Sequence, residues 1–309
     1  MKNFMAYALV AALLTACSGE GPSPEAASTA VPKSTAVQVP AKPDATDLQE
    51  RLAAVLAAQP EEVAARYPWR HPGETLAFFG IEPGMTVVEV LPGGGWYTRL
   101  LLPYLGEAGH LIGADYPIAL YRNFNFMTDE ALAKKEDWAA TWPAQAAAWA
   151  SNPGPKLSAF ALNSLPDAMH GTADAVLFIR AFHNMARFAD KGDFVGRALA
   201  DAYAVLKPGG TVGVVQHRAP ADATDDWADG SRGYLKQDWL IQRIEDAGFE
   251  LVATSEINAN PADQPGEEDI VWRLAPSFAT SQDDPGRREE LAAIGESDRM
   301  TLKFIKPEA

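Results

Sequence analysis

The chain has 309 residues, 47% hydrophobic and 22% charged, with 24 Gly and 23 Pro; these fractions fit a globular protein with a sizeable core and exclude collagen-like, coiled-coil and wholly disordered classes. Lys and Arg number 26 against 41 Asp and Glu, a formal net charge of −15, which argues against nucleic acid as a partner because phosphate backbones need a concentrated positive patch. The single cysteine, Cys17, excludes an intramolecular disulfide, a cysteine-based zinc site and a CxxC redox pair.

The chain opens with Lys2 and a short apolar run over residues 4–14, closed by Thr15-Ala16-Cys17. One positive charge, an apolar stretch too short to span a bilayer and small residues at its end are the layout of a secretory signal over residues 1–16. Leu14-Thr15-Ala16-Cys17 also resembles the bacterial lipobox. That resemblance implies cleavage before Cys17, lipidation of its thiol and anchoring of the chain to a membrane of the cell envelope. Ser18 rather than Asp after the cysteine implies the periplasmic face of the outer membrane. The alternative, an ordinary signal peptide, would leave an exposed free thiol in an oxidising compartment. Residues 17–45 are rich in Pro, Ala, Ser and Thr and lack aromatic residues; such a stretch cannot bury enough surface to offset its ordering entropy and reads as a disordered tether.

The folded domain is expected over residues 46–309. Thr46-Asp47-Leu48-Gln49 is a capping-box pattern that leads into the helical spacing of Leu48, Leu52, Val55 and Leu56. A second helix, Pro72–Phe79, starts at proline and stops at Gly80. After a turn at 81–85 comes the β-branched run Thr86–Val90, a short buried strand. Further strands are expected at His110–Asp115, 157–162, Ala173–Ile179, 211–216, 249–257 and 300–305. Helical spacing joins Phe194, Val195, Ala198, Leu199, Ala202, Val205 and Leu206, and then Leu235, Leu240, Ile241, Ile244 and Ala247. Strands alternating with helices predict an α/β domain whose mostly parallel sheet is covered on both faces. A long polar, Pro-rich segment separates the last two strands, which are free to pair antiparallel.

Glu89-Val90-Leu91-Pro92-Gly93-Gly94-Gly95 ends the first strand, and Trp96-Tyr97-Thr98 opens a helix. Glycines at a strand-to-helix turn let a ligand approach the backbone, although a glycine turn can also be only a tight connection. The next strand ends in Asp115, and Leu206-Lys207-Pro208-Gly209-Gly210 leads into a later one. Together with Phe79-Gly80-Ile81-Glu82-Pro83-Gly84-Met85 ahead of the first strand, this series resembles the class I S-adenosylmethionine-dependent methyltransferases over about residues 70–309. Within them it looks like a subgroup of bacterial methyltransferases with a Pro-Gly-Gly-Gly turn. The resemblance implies a doubly wound, Rossmann-like sheet of seven strands with an antiparallel last strand, and S-adenosylmethionine as cofactor. It places Glu89, Pro92, Gly93, Gly94 and Gly95 at the methionine part of the cofactor, Asp115 at the ribose hydroxyls and Asn163 near adenine. A carboxylate suits a diol because each hydroxyl can donate to it. The turn departs from the usual acidic-x-Gly-x-Gly-x-Gly pattern, with Leu91 in place of the first glycine and Pro92 stiffening the backbone ahead of Gly93.

After the middle strand the chain reads Ile179-Arg180-Ala181-Phe182-His183-Asn184. An imidazole at that edge has the pKa of a general base, which makes His183 the catalytic candidate; otherwise it holds a loop through its ring nitrogens. His71 and His217 fall near the same edge, but spacing does not establish convergence and no metal is assigned. Tyr116, Tyr121, Phe124, Phe126, Trp138, Trp142 and Trp149 form either a lid over a hydrophobic acceptor or the packing face of inserted helices. Residues 222–233, with several aspartates, read as a solvated loop. The expected function is methyl transfer to a small-molecule acceptor by an envelope lipoprotein. The alternative is a noncatalytic ligand-binding or scaffold lipoprotein on the same fold, since S-adenosylmethionine is made in the cytosol. A nicotinamide-dependent dehydrogenase shares the acidic residue after the second strand but leaves Glu89 and the terminal strand pair unexplained.

Overall fold

The computed structural model describes residues 44–150 and 153–308. The short β-branched runs lie side by side in one sheet of seven strands: β1 (Thr86–Val90), β2 (His110–Asp115), β3 (Lys156–Ala161), β4 (Ala173–Ile179), β5 (Leu206–His217), β6 (Glu250–Ser255) and β7 (Arg299–Ile305). Their order is β3-β2-β1-β4-β5-β7-β6. Neighbours from β3 through β5 pair parallel, while β7 runs antiparallel to both β5 and β6. This is the doubly wound, Rossmann-like arrangement with an inserted antiparallel last strand that the sequence implies. Strand order reverses where β1 lies between β2 and β4, and ligands of open α/β sheets bind outside the carboxyl ends of the strands at such a point.

Successive strand residues point to opposite faces, and each face has its own core. On one, Val88, Val90, Ile112, Val176 and Phe178 pack with Leu199, Val205, Leu240 and Ile244 of the helices Phe194–Val205 and Gln237–Asp246. On the other, Val87, Leu111, Ala175 and Leu177 meet Leu52, Leu76, Leu101 and Trp142 of the helices Ala45–Ala57, Pro72–Phe79, Thr98–Leu105 and Trp138–Ala147. A Cβ at Gly113 of β2 would lie 2.8 Å from the Trp142 ring and 2.9 Å from Trp138. These two tryptophans of the aromatic segment are therefore a packing face, and the glycine is what lets them reach the sheet.

Several boundaries differ from expectation. The first helix is capped by Asp44, whose carboxylate accepts from Asp47 N at 2.9 Å, and not by Thr46, which lies inside the helix. β5 begins at Leu206, because Leu206 already pairs with Ala173 before the register shifts at Ala175. Leu235 lies outside its predicted helix and bridges Arg218 and Asp229. The polar segment between the last two strands carries a 3-10 turn, Val271–Arg273, and a helix, Pro285–Ile294. Its Arg273 donates to the buried Asp263 at 2.7 Å and to Tyr234 Oη at 2.8 Å. The signal sequence, Cys17 and the tether up to residue 43 lie outside the described residues. Among the described residues no helix is long and apolar enough to cross a membrane.

Candidate functional site

The turn after β1 is held in an unusual conformation. Leu91, where the pattern that this turn resembles has glycine, takes a left-handed φ of 57°, and its N–H donates to Ala114 O of β2 at 2.7 Å. Gly93 and Gly95 follow at φ 55° and 76°. Across the switch point, Arg180 leaves β4 at φ 58°, with its N–H donating to Val215 O of β5 at 2.6 Å. A left-handed non-glycine residue is unfavourable by about 1–2 kcal/mol, and such residues cluster at functional sites. Here two of them end adjacent strands.

Between these strand ends lies a cavity of about 410 Å³. Leu91, Pro92, Gly93 and Gly94 form one side of it, Arg180, His183 and His217 another, and Arg66, Arg70, Trp96, Trp272 and Pro276 complete the wall. A Cβ at Gly94 would meet nothing within 4 Å, so the backbone is open to a ligand there. At Gly95 the same atom would lie 2.2 Å from the Trp149 ring, so that glycine serves the packing of a tryptophan.

His183 is buried in the cavity wall, 5.4 Å from the His217 ring and 5.8 Å from the Trp272 ring. Burial, reinforced by Arg180 and Arg187, lowers its pKa to about 4. Burial next to His183 likewise holds His217 well below the usual imidazole range. Both rings are neutral at pH 7. Gln216 Nε2 donates to Gly233 O at 3.2 Å and faces His183 Nδ1 at 3.4 Å. An amide nitrogen there makes Nδ1 the acceptor and assigns the His183 proton to Nε2. In that tautomer the ring donates from Nε2, and the burial that lowers its pKa weakens it as the expected general base. His71 is not part of the wall, and among the described residues no cluster of His, Cys, Asp or Glu could hold a metal.

The other residues singled out by sequence lie outside the cavity. Glu89 faces the same side of the sheet as Val87, is buried, and accepts from Thr98 Oγ1 at 2.6 Å. Burial pushes its carboxyl up to about 7, against the hydrogen bonds from Thr98. Asp115 is buried and already engaged: Oδ1 accepts from Tyr116 N at 2.8 Å and Tyr121 Oη at 2.6 Å, and Oδ2 from Lys135 Nζ at 2.7 Å. A carboxylate has about four acceptor sites, so roughly one remains where a ribose diol needs two. Lys135 is part-exposed and borders a hollow of about 500 Å³. The residues thus fit S-adenosylmethionine at the glycine turn, whereas Asp115, with its present partners, has room for about one ribose hydroxyl. Asn163 takes φ 69° after β3, and its N–H donates to Asp201 Oδ2 at 2.6 Å.

Sequence reasoning missed Arg66, Arg70, Arg180 and Glu296. Arg66 and Arg70 donate to the buried carboxylate of Glu296, from 230 and 226 residues away. The one available signal was the i, i+4 spacing of Arg66 and Arg70, which puts both on one helical face.

No family model and no curated protein matches the chain. Solved structures similar to it include a S-adenosylmethionine-dependent methyltransferase from Aquifex aeolicus, 14% identical over 82% of this chain and 98% of that one, with a TM-score of 0.45. A geranyl diphosphate methyltransferase in complex with S-adenosylmethionine is 13% identical over 82% and 90%, with a TM-score of 0.48. The [4+2]-cyclase SpnF is 16% identical over 78% and 82%, with a TM-score of 0.46.

Proposed function

We propose that this protein is a S-adenosylmethionine-dependent methyltransferase acting on a small-molecule acceptor held between the ends of β1, β4 and β5. One observation carries this: a sheet with the inserted antiparallel strand opens its switch point onto a cavity floored by the bare backbone of Gly93 and Gly94. When bound, the cofactor supplies a methyl group activated on a sulfonium, and alignment is then the main task of the protein. Gly93 and Gly94 receive the methionine part on a turn stiffened by Pro92, with Gly95 N–H donating to Pro92 O to close the turn and Glu89 accepting from Thr98 at the start of the next helix. Asp115 takes a ribose hydroxyl, and Asn163 is the candidate on the adenine side. His183 donates from Nε2 to the acceptor and orients it. It removes no proton, so the acceptor is one that presents its lone pair directly.

Calorimetry of the full chain with S-adenosylmethionine, S-adenosylhomocysteine and NAD tests this. Heat from either sulfur nucleotide and none from NAD is expected. Asp115→Ala removes a charge-assisted hydrogen bond of about 1.5–3 kcal/mol and weakens binding roughly ten- to a hundredfold. The second possibility, a noncatalytic ligand-binding or scaffold protein, is favoured by the engagement of Asp115 with Tyr116, Tyr121 and Lys135 and by Trp149 over Gly95. Silence from all three nucleotides selects it.

Lipidation at Cys17 would hold the chain at the periplasmic face of the outer membrane, since several acyl chains anchor firmly where one does not. Cys17→Ser should leave the chain unlipidated and change its membrane fractionation, and release of the wild-type protein by salt without detergent would defeat the anchoring.

A further inference from the structure

Three arginines of the cavity wall, Arg66, Arg70 and Arg180, and the buried Arg299 behind it surround the buried carboxylate of Glu296. Glu296 accepts from Arg66 through Nε at 2.7 Å and also through Nη2, and from Arg70 Nε at 3.1 and 3.2 Å. It also pairs with Arg299 Nη1 at 3.2 Å. Three cations therefore share its lone pairs, and the fourth, Arg180, has no hydrogen bond or ion pair to its side chain among the described residues. Its Nε is sealed from solvent and unpartnered, although the residue as a whole is part-exposed in the cavity wall. Arg70 is buried, uses only Nε toward Glu296, and lays its guanidinium 4.5 Å over the Trp96 ring.

The cluster carries excess positive charge in a chain whose net charge is −15. Burial and the neighbouring guanidiniums lower Arg70 to about 9 and Arg180 to about 10, the charge of Glu296 notwithstanding. Each is still a cation at pH 7. Unpaired buried charge is destabilising, and here it coincides with a left-handed backbone at Arg180. The planar guanidinium fork matches the oxygens of a carboxylate or phosphate.

We propose that the cavity receives an oxyanion, the carboxylate or phosphate of a small molecule other than the nucleotide cofactor, on the guanidinium of Arg180 with Arg70 as second donor. His183, with its proton on Nε2, is a neutral donor in the same wall. This goes beyond methyl transfer and holds whether or not methyl transfer occurs.

The test is titration of the full chain with inorganic phosphate and with succinate, followed by tryptophan fluorescence and by thermal shift at matched ionic strength in chloride. Saturable binding of either anion below about 1 mM is expected; phosphate alone or succinate alone identifies the class. Arg180→Gln should weaken binding at least tenfold and leave the melting temperature unchanged or higher, because it removes a repelled charge. Arg122→Gln, on an exposed pair with Glu136, should change nothing. No saturable binding up to about 10 mM overturns the proposal, and so does an Arg180→Gln variant that unfolds or binds like wild type. Repeating the titration with saturating S-adenosylhomocysteine separates the sources. Unchanged anion affinity assigns the site to a second ligand, and competition assigns it to the cofactor's own carboxylate and overturns the proposal. If the nucleotide does not bind, methyl transfer fails while the anion titration still decides this site.

Discussion

Glu296→Gln removes the negative charge that Arg66, Arg70 and Arg299 share while keeping the shape and one carbonyl oxygen. The Glu296 and Arg70 side chains are each 4% exposed, Arg299 is 3% and Arg66 is 21% exposed, so solvent cannot replace the lost countercharge. Breaking a buried pair by removing one partner costs about 3–5 kcal/mol, and the retained carbonyl puts this case near 3. For a domain of this size that lowers Tm by roughly 6–12 °C, at about 2–4 °C per kcal/mol. Burial alone would raise the Glu296 carboxyl, but Arg299, Arg70, Arg66 and Arg180 outweigh it and hold it below 4.5. A group depressed in the fold contributes stability above its unfolded pKa and loses it as the pH falls through the folded value. The wild-type advantage should therefore be constant above about pH 5 and shrink as the pH falls below about 4.5. Urea denaturation of both proteins from pH 3.5 to 8 measures it. A difference under about 1 kcal/mol at pH 7, or one that does not shrink in acid, would show that the arginines do not depend on this carboxylate.

Three further outcomes are expected. Glu89 has a folded pKa raised by burial from 4.5 to about 7, so its contribution is full below 4.5 and lost as the pH rises toward 7; Glu89→Gln should gain about 3 kcal/mol over wild type at pH 8 and little at pH 5 in chemical denaturation. Gly95→Ala should destabilise the fold by about 2–4 kcal/mol through its φ of 76° and the Trp149 ring, with Trp149→Ala recovering only the steric part, whereas Gly94→Ala should cost under about 1 kcal/mol and still weaken nucleotide binding. In ¹⁵N NMR titrations the His183 ring should stay neutral down to about pH 5 with its proton on Nε2; protonation near 6.5 would remove the burial on which its donor role depends.

Much of the scaffold was legible along the chain. The β-branched run of β1, the proline start and glycine stop of Pro72–Phe79, and the 3.6-residue spacing of Phe194–Val205 are set by sterics and solvent exposure within a few residues, and their cores formed on the faces that this spacing marks. The glycine turn was equally plain, because strand, glycines and helix are contiguous. Its two-sided use was not: Gly94 is open and Gly95 is filled by Trp149 because the turn that follows the helix Trp138–Ala147 folds back onto it. Asp115 ended its strand as expected, but whether its oxygens are free was decided by Tyr121 and Lys135 in the insertion after it. The charge at the cavity was the least legible feature. Arg66, Arg70, Arg180 and Glu296 each look like ordinary surface residues until the crossing of β4 and the antiparallel return of β7 bring their ends together. A charge is costly or useful only according to what else is buried beside it, and that depends on topology across more than two hundred residues.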